Sequence, residues 1–88
     1  MINIYICEDD PKQLDQITKY VENYLLMEEL DMKVRITTTN PNDVLDYLHN
    51  NESDKSLYFI DIDLGNNISG IELVTQIRKV DFNGKIVL

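Results

Sequence analysis

Eighty-eight residues, 43% of them hydrophobic, allow one domain with a real core and no second domain. The formal net charge of −8, from 16 acids against 8 bases, repels phosphate backbones and argues against nucleic-acid binding by this segment. There is no low-complexity tract, internal repeat, signal-peptide pattern or apolar run of membrane length, and the expected location is the cytoplasm.

The first run, Ile2 to Cys7 (INIYIC), is short, apolar and β-branched, which predicts a strand that ends in Glu8, Asp9 and Asp10. Cys7 is the only cysteine, so no internal disulfide can form, and its apolar setting reads as a packed, inert thiol. Pro11 fits the first position of a helix with Asp10 as N-cap and Gln13 placed for a capping box. Leu14, Ile17, Val21, Tyr24 and Leu25 follow at spacings of three and four, which predicts a helix to about Glu29. Met32 to Thr38 alternates around Val34 and Ile36 as a second strand. Asn40-Pro41 opens a second helix with Val44, Leu45 and Leu48 on its inner face, fading at Asn50-Asn51. Leu57 to Ile62 (LYFIDI) is the most continuously apolar strand, of the kind found in the middle of a parallel sheet. Gly65, Asn66 and Asn67 form a loop, and Ser69 or Gly70 opens a third helix with Ile71, Val74 and Ile77 along its stripe. Asn83-Gly84 is a turn, and Lys85 to Leu88 starts a fourth strand.

This β-α-β-α-β-α-β alternation predicts an α/β fold, a doubly wound parallel sheet built with right-handed crossovers. Ligands bind such sheets beyond the C-terminal strand ends. Two strands carry acids there: Glu8, Asp9 and Asp10 after the first, Asp61 and Asp63 at the third. If strands 1 and 3 are neighbours, Glu8, Asp9 and Asp61 converge, and crowded carboxylates need a counter-charge. Mg²⁺ satisfies that need with oxygen ligands and retains waters for incoming phosphate oxygens. A carboxylate beside it becomes a feasible nucleophile toward phosphorus, giving an acyl phosphate. Acids after a strand are also ordinary N-caps, which accounts for Asp10; an Asp inside FIDID is harder to explain that way.

In the order and spacing of these motifs the whole chain resembles the N-terminal part of a response-regulator receiver domain, an incomplete flavodoxin- or CheY-like sheet with strand order 2-1-3-4. ICEDDPKQ and YFIDIDL resemble the branch typified by AgrA and ComE, regulators of Gram-positive quorum sensing that continue into a LytTR-type DNA-binding domain. The resemblance implies that Asp61 is the phosphoacceptor, served by a sensor histidine kinase. It implies that Glu8 and Asp9 form the acidic pair holding Mg²⁺, that Asp63 ligates through its backbone carbonyl, and that Gly70 closes the loop before the third helix. Gly65 stands where many receivers have proline. The Ser or Thr after a fourth strand and the Lys after a fifth, which receivers use to bind and report the phosphoryl group, fall beyond Leu88, as does any DNA-binding domain. Lys79 and Lys85 do not replace that lysine. The resemblance makes the chain a regulatory module rather than a turnover enzyme.

Two rival readings stand beside it. FIDIDLG resembles the D-x-D motif of haloacid-dehalogenase-type phosphatases, although there the motif lies on the first strand. Alternatively, the chain acts only through its surfaces, with the fourth strand as an exposed sheet edge that predicts a homodimer. His49, late in the second helix, reads as a surface residue. Tyr20, Tyr24 and Tyr47 read as helix-flank packing, and Arg78 and Lys79 as complements to a helix dipole.

Overall fold

A computed structural model describes residues 1–51, 55–65 and 68–88. In chain order the elements are β1 (Ile2–Cys7), α1 (Pro11–Met27), β2 (Met32–Thr38), α2 (Pro41–Asn50), β3 (Ser56–Ile60), α3 (Gly70–Val80) and β4 (Lys85–Val87). The strands form one parallel sheet, as the alternation of elements predicts, in the order β2-β1-β3-β4 that the resemblance to receivers implies. β1 and β3, the two strands richest in buried residues, lie side by side in its middle.

Each helix starts where the capping chemistry says it should. Asp10 and Asn40 accept from the amides of Lys12 and Asn42, both at 3.0 Å, and each is followed by proline at the first helical position. Ser69 Oγ accepts from Glu72 N–H at 3.1 Å and opens α3. One face of the sheet contributes Tyr5, Cys7, Tyr58 and Ile60 to a core closed by Val44 and Leu48 of α2, Leu73 and Ile77 of α3, and Leu64. Tyr5 stacks on Tyr58 with ring centroids 4.9 Å apart, and Tyr47 meets Tyr5 edge-on at 5.6 Å. The opposite face is covered more thinly. No residue of α1 is fully buried, and between α1 and the strands runs an apolar groove of about 670 Å³ whose walls include Ile17, Val21, Leu25, Leu57 and Phe59.

Several boundaries and faces differ from the sequence reading. β3 ends at Ile60; Ile62 is exposed, because the chain leaves the sheet once Asp61 N–H has bonded to the Cys7 carbonyl at 3.0 Å. In α3 the buried residues are Gly70, Leu73 and Ile77, while Ile71 faces solvent: the helix phase is set by Gly70, not by the first apolar side chain. Tyr20 and Tyr24 are exposed, and only Tyr47 packs. Arg78 does more than complement a dipole: it donates to the carbonyls of Phe82 at 3.0 Å and Gly84 at 2.6 Å. In the same turn Asp81 accepts from Tyr58 O–H at 2.7 Å and Gly84 N–H at 3.0 Å. Asn66 and Asn67 of the predicted loop lie outside the described residues.

α1 ends at Met27, within two residues of the end near Glu29 that the sequence predicts. Leu30 N–H bonds the Leu25 carbonyl at 3.2 Å and Glu29 N–H the Leu26 carbonyl at 3.4 Å, with Glu29 between them at φ +53°. This is a Schellman closure whose left-handed position holds a glutamate instead of glycine, at a steric cost on the order of 1 kcal/mol. Glu29→Gly is therefore expected to stabilise the protein by about 0.5–1 kcal/mol, seen as a higher urea midpoint with an unchanged m-value.

Candidate metal centre

Three backbone hydrogen bonds assemble the acidic residues. β1 and β3 pair in register from Asn3↔Ser56 to Cys7↔Ile60, so that Asp61 N–H, one residue on, reaches the Cys7 carbonyl. On the other side of β1, Glu8 N–H bonds the Thr38 carbonyl of β2 at 3.1 Å. Gly70 N–H then bonds the Ile62 carbonyl at 2.8 Å, folding the start of α3 back onto the end of β3. A Cβ on Gly70 would lie 2.7 Å from Ile62 Cα and closer still to the Asp61 carbonyl, so no larger residue fits without moving the backbone that carries Asp61.

Glu8, Asp9 and Asp61 each present a carboxylate oxygen within 4.8 Å of the others. Their environments differ: Glu8 is buried at 6% exposure, Asp61 is half-buried and Asp9 is exposed. Burial first, and then the neighbouring Asp61 and Asp9, push the Glu8 carboxyl up to about 7. Its Oε2 is buried with no hydrogen-bond partner. An orphaned buried oxygen within a set of three hard carboxylate donors fits a hard divalent cation such as Mg²⁺, which supplies the missing partner and the missing charge together.

Asp63 stands apart from this cluster. Its Oδ1 accepts from Gly65 N–H at 3.1 Å, while its own N–H points to Asp61 Oδ1 at 3.4 Å. Gly65 adopts φ +67°, which proline cannot, so the departure from the common receiver pattern is built into the loop. A Cβ there would also come within 3.0 Å of Asp9 Oδ2. Cys7 lies beneath the acids, and burial, reinforced by Glu8, raises its thiol to about 12, which makes it inert as read. His49 is exposed and away from the cluster, and Lys85 lies at the opposite end of the sheet. The sequence reading missed Thr38, whose carbonyl holds Glu8. Its signal was faint: a Thr at a strand end two residues before an Asn-Pro helix start.

A model of the response regulator receiver domain matches residues 4–88. The chain belongs to that family. It is 42% identical over 86 residues to accessory gene regulator protein A of Staphylococcus aureus (strain N315), and 35% identical to the protein of the same name from Staphylococcus epidermidis (strain RP62A). Each alignment covers 98% of this chain and 36% of the relative, so the receiver spans about a third of the length of the curated proteins it matches. Its fold matches the crystal structure of the response regulator protein TrrA from Thermotoga maritima in complex with Mg²⁺-BeF. That match has a TM-score of 0.76 at 23% identity and covers all of this chain and 68% of the other. Among the described residues, no helix of the receiver is long and apolar enough to cross a membrane.

Glu8 predicts how the receiver responds to pH. Its folded pKa lies above the ordinary 4.5, so between about 4.5 and 7 the unfolded chain releases a proton that the metal-free fold retains. The contribution of Glu8 to stability is thus full below about 4.5 and is lost as pH rises through about 7. A Mg²⁺ ion held by Glu8 would have to displace the same proton, so its affinity is expected to increase from pH 5.5 to pH 8. Calorimetric titrations across that range should show the rise in the wild type and a much flatter profile in Glu8→Gln.

Proposed function

We propose that this receiver takes a phosphoryl group on Asp61, with Mg²⁺ held by Glu8, Asp9, the Asp61 carboxylate and the backbone carbonyl of Asp63. The observation carrying this reading is the convergence of Glu8, Asp9 and Asp61 around the orphaned Glu8 Oε2 at the C-terminal edge of the sheet. When bound, Mg²⁺ supplies positive charge to the equatorial phosphoryl oxygens. The protein's own part is positioning. Asp61 is half-buried at a fixed strand end, with one oxygen free to attack phosphorus in line as the P–N bond of a donor phosphohistidine breaks and the imidazole leaves with a proton. Gly70 keeps the backbone at Asp61 and Ile62 close to the start of α3, and Gly65 lets the loop pass Asp9.

The phosphatase reading loses its second carboxylate, since Asp63 is engaged by Gly65 N–H and lies outside the cluster. The phosphoryl donor in this proposal is a sensor histidine kinase, and the setting is cytoplasmic. Phosphorylation would control transcription in a quorum-sensing circuit through a DNA-binding domain outside these residues.

Incubation with acetyl phosphate and Mg²⁺ is expected to add one phosphoryl group, detected by intact-mass spectrometry as a hydroxylamine-labile acyl phosphate. Asp61→Asn should abolish the adduct, and Mg²⁺ removal should reduce it at least about a hundredfold. An adduct that persists in Asp61→Asn rules out this assignment.

A further inference from the structure

The acidic edge is joined to α2 through one buried side chain. Thr38 ends β2 opposite Cys7 and is 8% exposed. Its carbonyl accepts Glu8 N–H at 3.1 Å. Its hydroxyl accepts Asn40 N–H at 2.9 Å and donates to Asp43 Oδ2 at 2.5 Å. The Asn40 carbonyl is a weaker alternative at 3.3 Å; the single hydroxyl proton goes to the shorter, charge-assisted bond. Asn40 caps α2, and Asp43 N–H returns to the Asn40 carbonyl at 3.0 Å.

A threonine that bonds a helix start is ordinarily a local turn device. Here the same residue also holds the main chain of Glu8, at the point where β1 leaves the sheet. Glu8 is the most buried of the three acids, and its Oε2 has no other partner. A small swing of the Glu8 backbone therefore moves the one donor that cannot relax into solvent. We infer that Thr38 is a positioning residue for the metal centre, fixing Glu8 against α2 through its hydrogen bond to Asp43. The inference rests on the reading that Glu8, Asp9 and Asp61 hold Mg²⁺. Groups outside the coordination sphere commonly tune metal affinity in this way.

The test is calorimetric titration of Mg²⁺ into the wild type, Thr38→Ser, Thr38→Val, Asp43→Asn and Asp43→Ala, at a temperature where circular dichroism shows each variant folded. Thr38→Val is expected to weaken Mg²⁺ binding about fivefold, equivalent to about 1 kcal/mol, with Thr38→Ser restoring wild-type affinity. Asp43 is exposed, so Asp43→Ala gives the same readout if Thr38→Val does not fold. Asp43→Ala should match the Thr38→Val loss, and Asp43→Asn, which keeps an acceptor oxygen, should stay close to wild type. Combining Thr38→Val with Asp43→Ala should cost no more than either alone. Wild-type affinity in both Thr38→Val and Asp43→Ala overturns the inference and leaves the metal site standing. Equal losses in Asp43→Asn and Asp43→Ala also overturn it, assigning the effect to charge. A wild-type protein that binds no Mg²⁺ overturns the site itself.

Discussion

The pairing of β1 with β3 is the constraint on which the rest of this receiver depends. Asp9 and Asp61 are far apart in sequence and meet only because the two strands run parallel, side by side and in a register whose last bond is Asp61 N–H to the Cys7 carbonyl. A strand's side chains alternate faces, so a slip of one residue would send Tyr58 and Ile60 out of the core and move Asp61 off the acidic pair at once. The hydrophobic pattern of β3 thus enforces the geometry of the polar site. Buried Tyr58 stacking on Tyr5 and Ile60 closing against α2 and α3 make the correct register the only one that fills the core.

That enforcement has an electrostatic cost. Three carboxylates within 4.8 Å, one of them nearly inaccessible to water, are held together by packing and backbone pairing that take no account of their charge. In the metal-free fold, the cost is met by protonation: Glu8 stays neutral to about pH 7 because its surroundings disfavour the ion. A cation offers the other solution. The exposed Asp9 and half-buried Asp61 are open to solvent, while the Glu8 carboxyl is buried. In the proposed centre, one buried and one open carboxylate at the end of a single strand would divide the labour between affinity and access.

Much of the fold was legible because local and global preferences agree. The apolar runs at Ile2–Cys7 and Leu57–Ile62, the prolines after Asp10 and Asn40, and the alternation of strand and helix all point to one parallel α/β sheet, and the resemblance to receivers supplied its strand order. The acids at the two strand ends could be read as converging for the same reason. What failed was whatever depends on a tertiary backbone contact. The phase of α3 is fixed by Gly70 lying against the Asp61–Ile62 backbone, so an apolar Ile71 ends up in solvent and Leu73 in the core. The Asp63 side chain turns to Gly65 N–H, which does not bear on the backbone carbonyl through which the resemblance has that residue ligate.

The two ends of the sheet make the point in a different way. At the N-terminal end, the turn between α3 and β4 also gathers polar groups close to the core: Tyr58 O–H, Asp81, Arg78 and the Gly84 backbone. There each group is paired with another. Asp81 uses one carboxylate oxygen for Tyr58 and the other for Gly84, while Arg78 ties down the carbonyls that follow α3. Such a network only stabilises, and it asks for nothing from outside the chain. At the C-terminal end the same fold gathers like charges and leaves Glu8 Oε2 unpaired. Natural structures rarely leave a buried polar atom without a partner unless something else completes it. Within one small sheet, a closed polar network at one end contrasts with an acidic cluster at the other that includes a buried carboxylate oxygen without a hydrogen-bond partner.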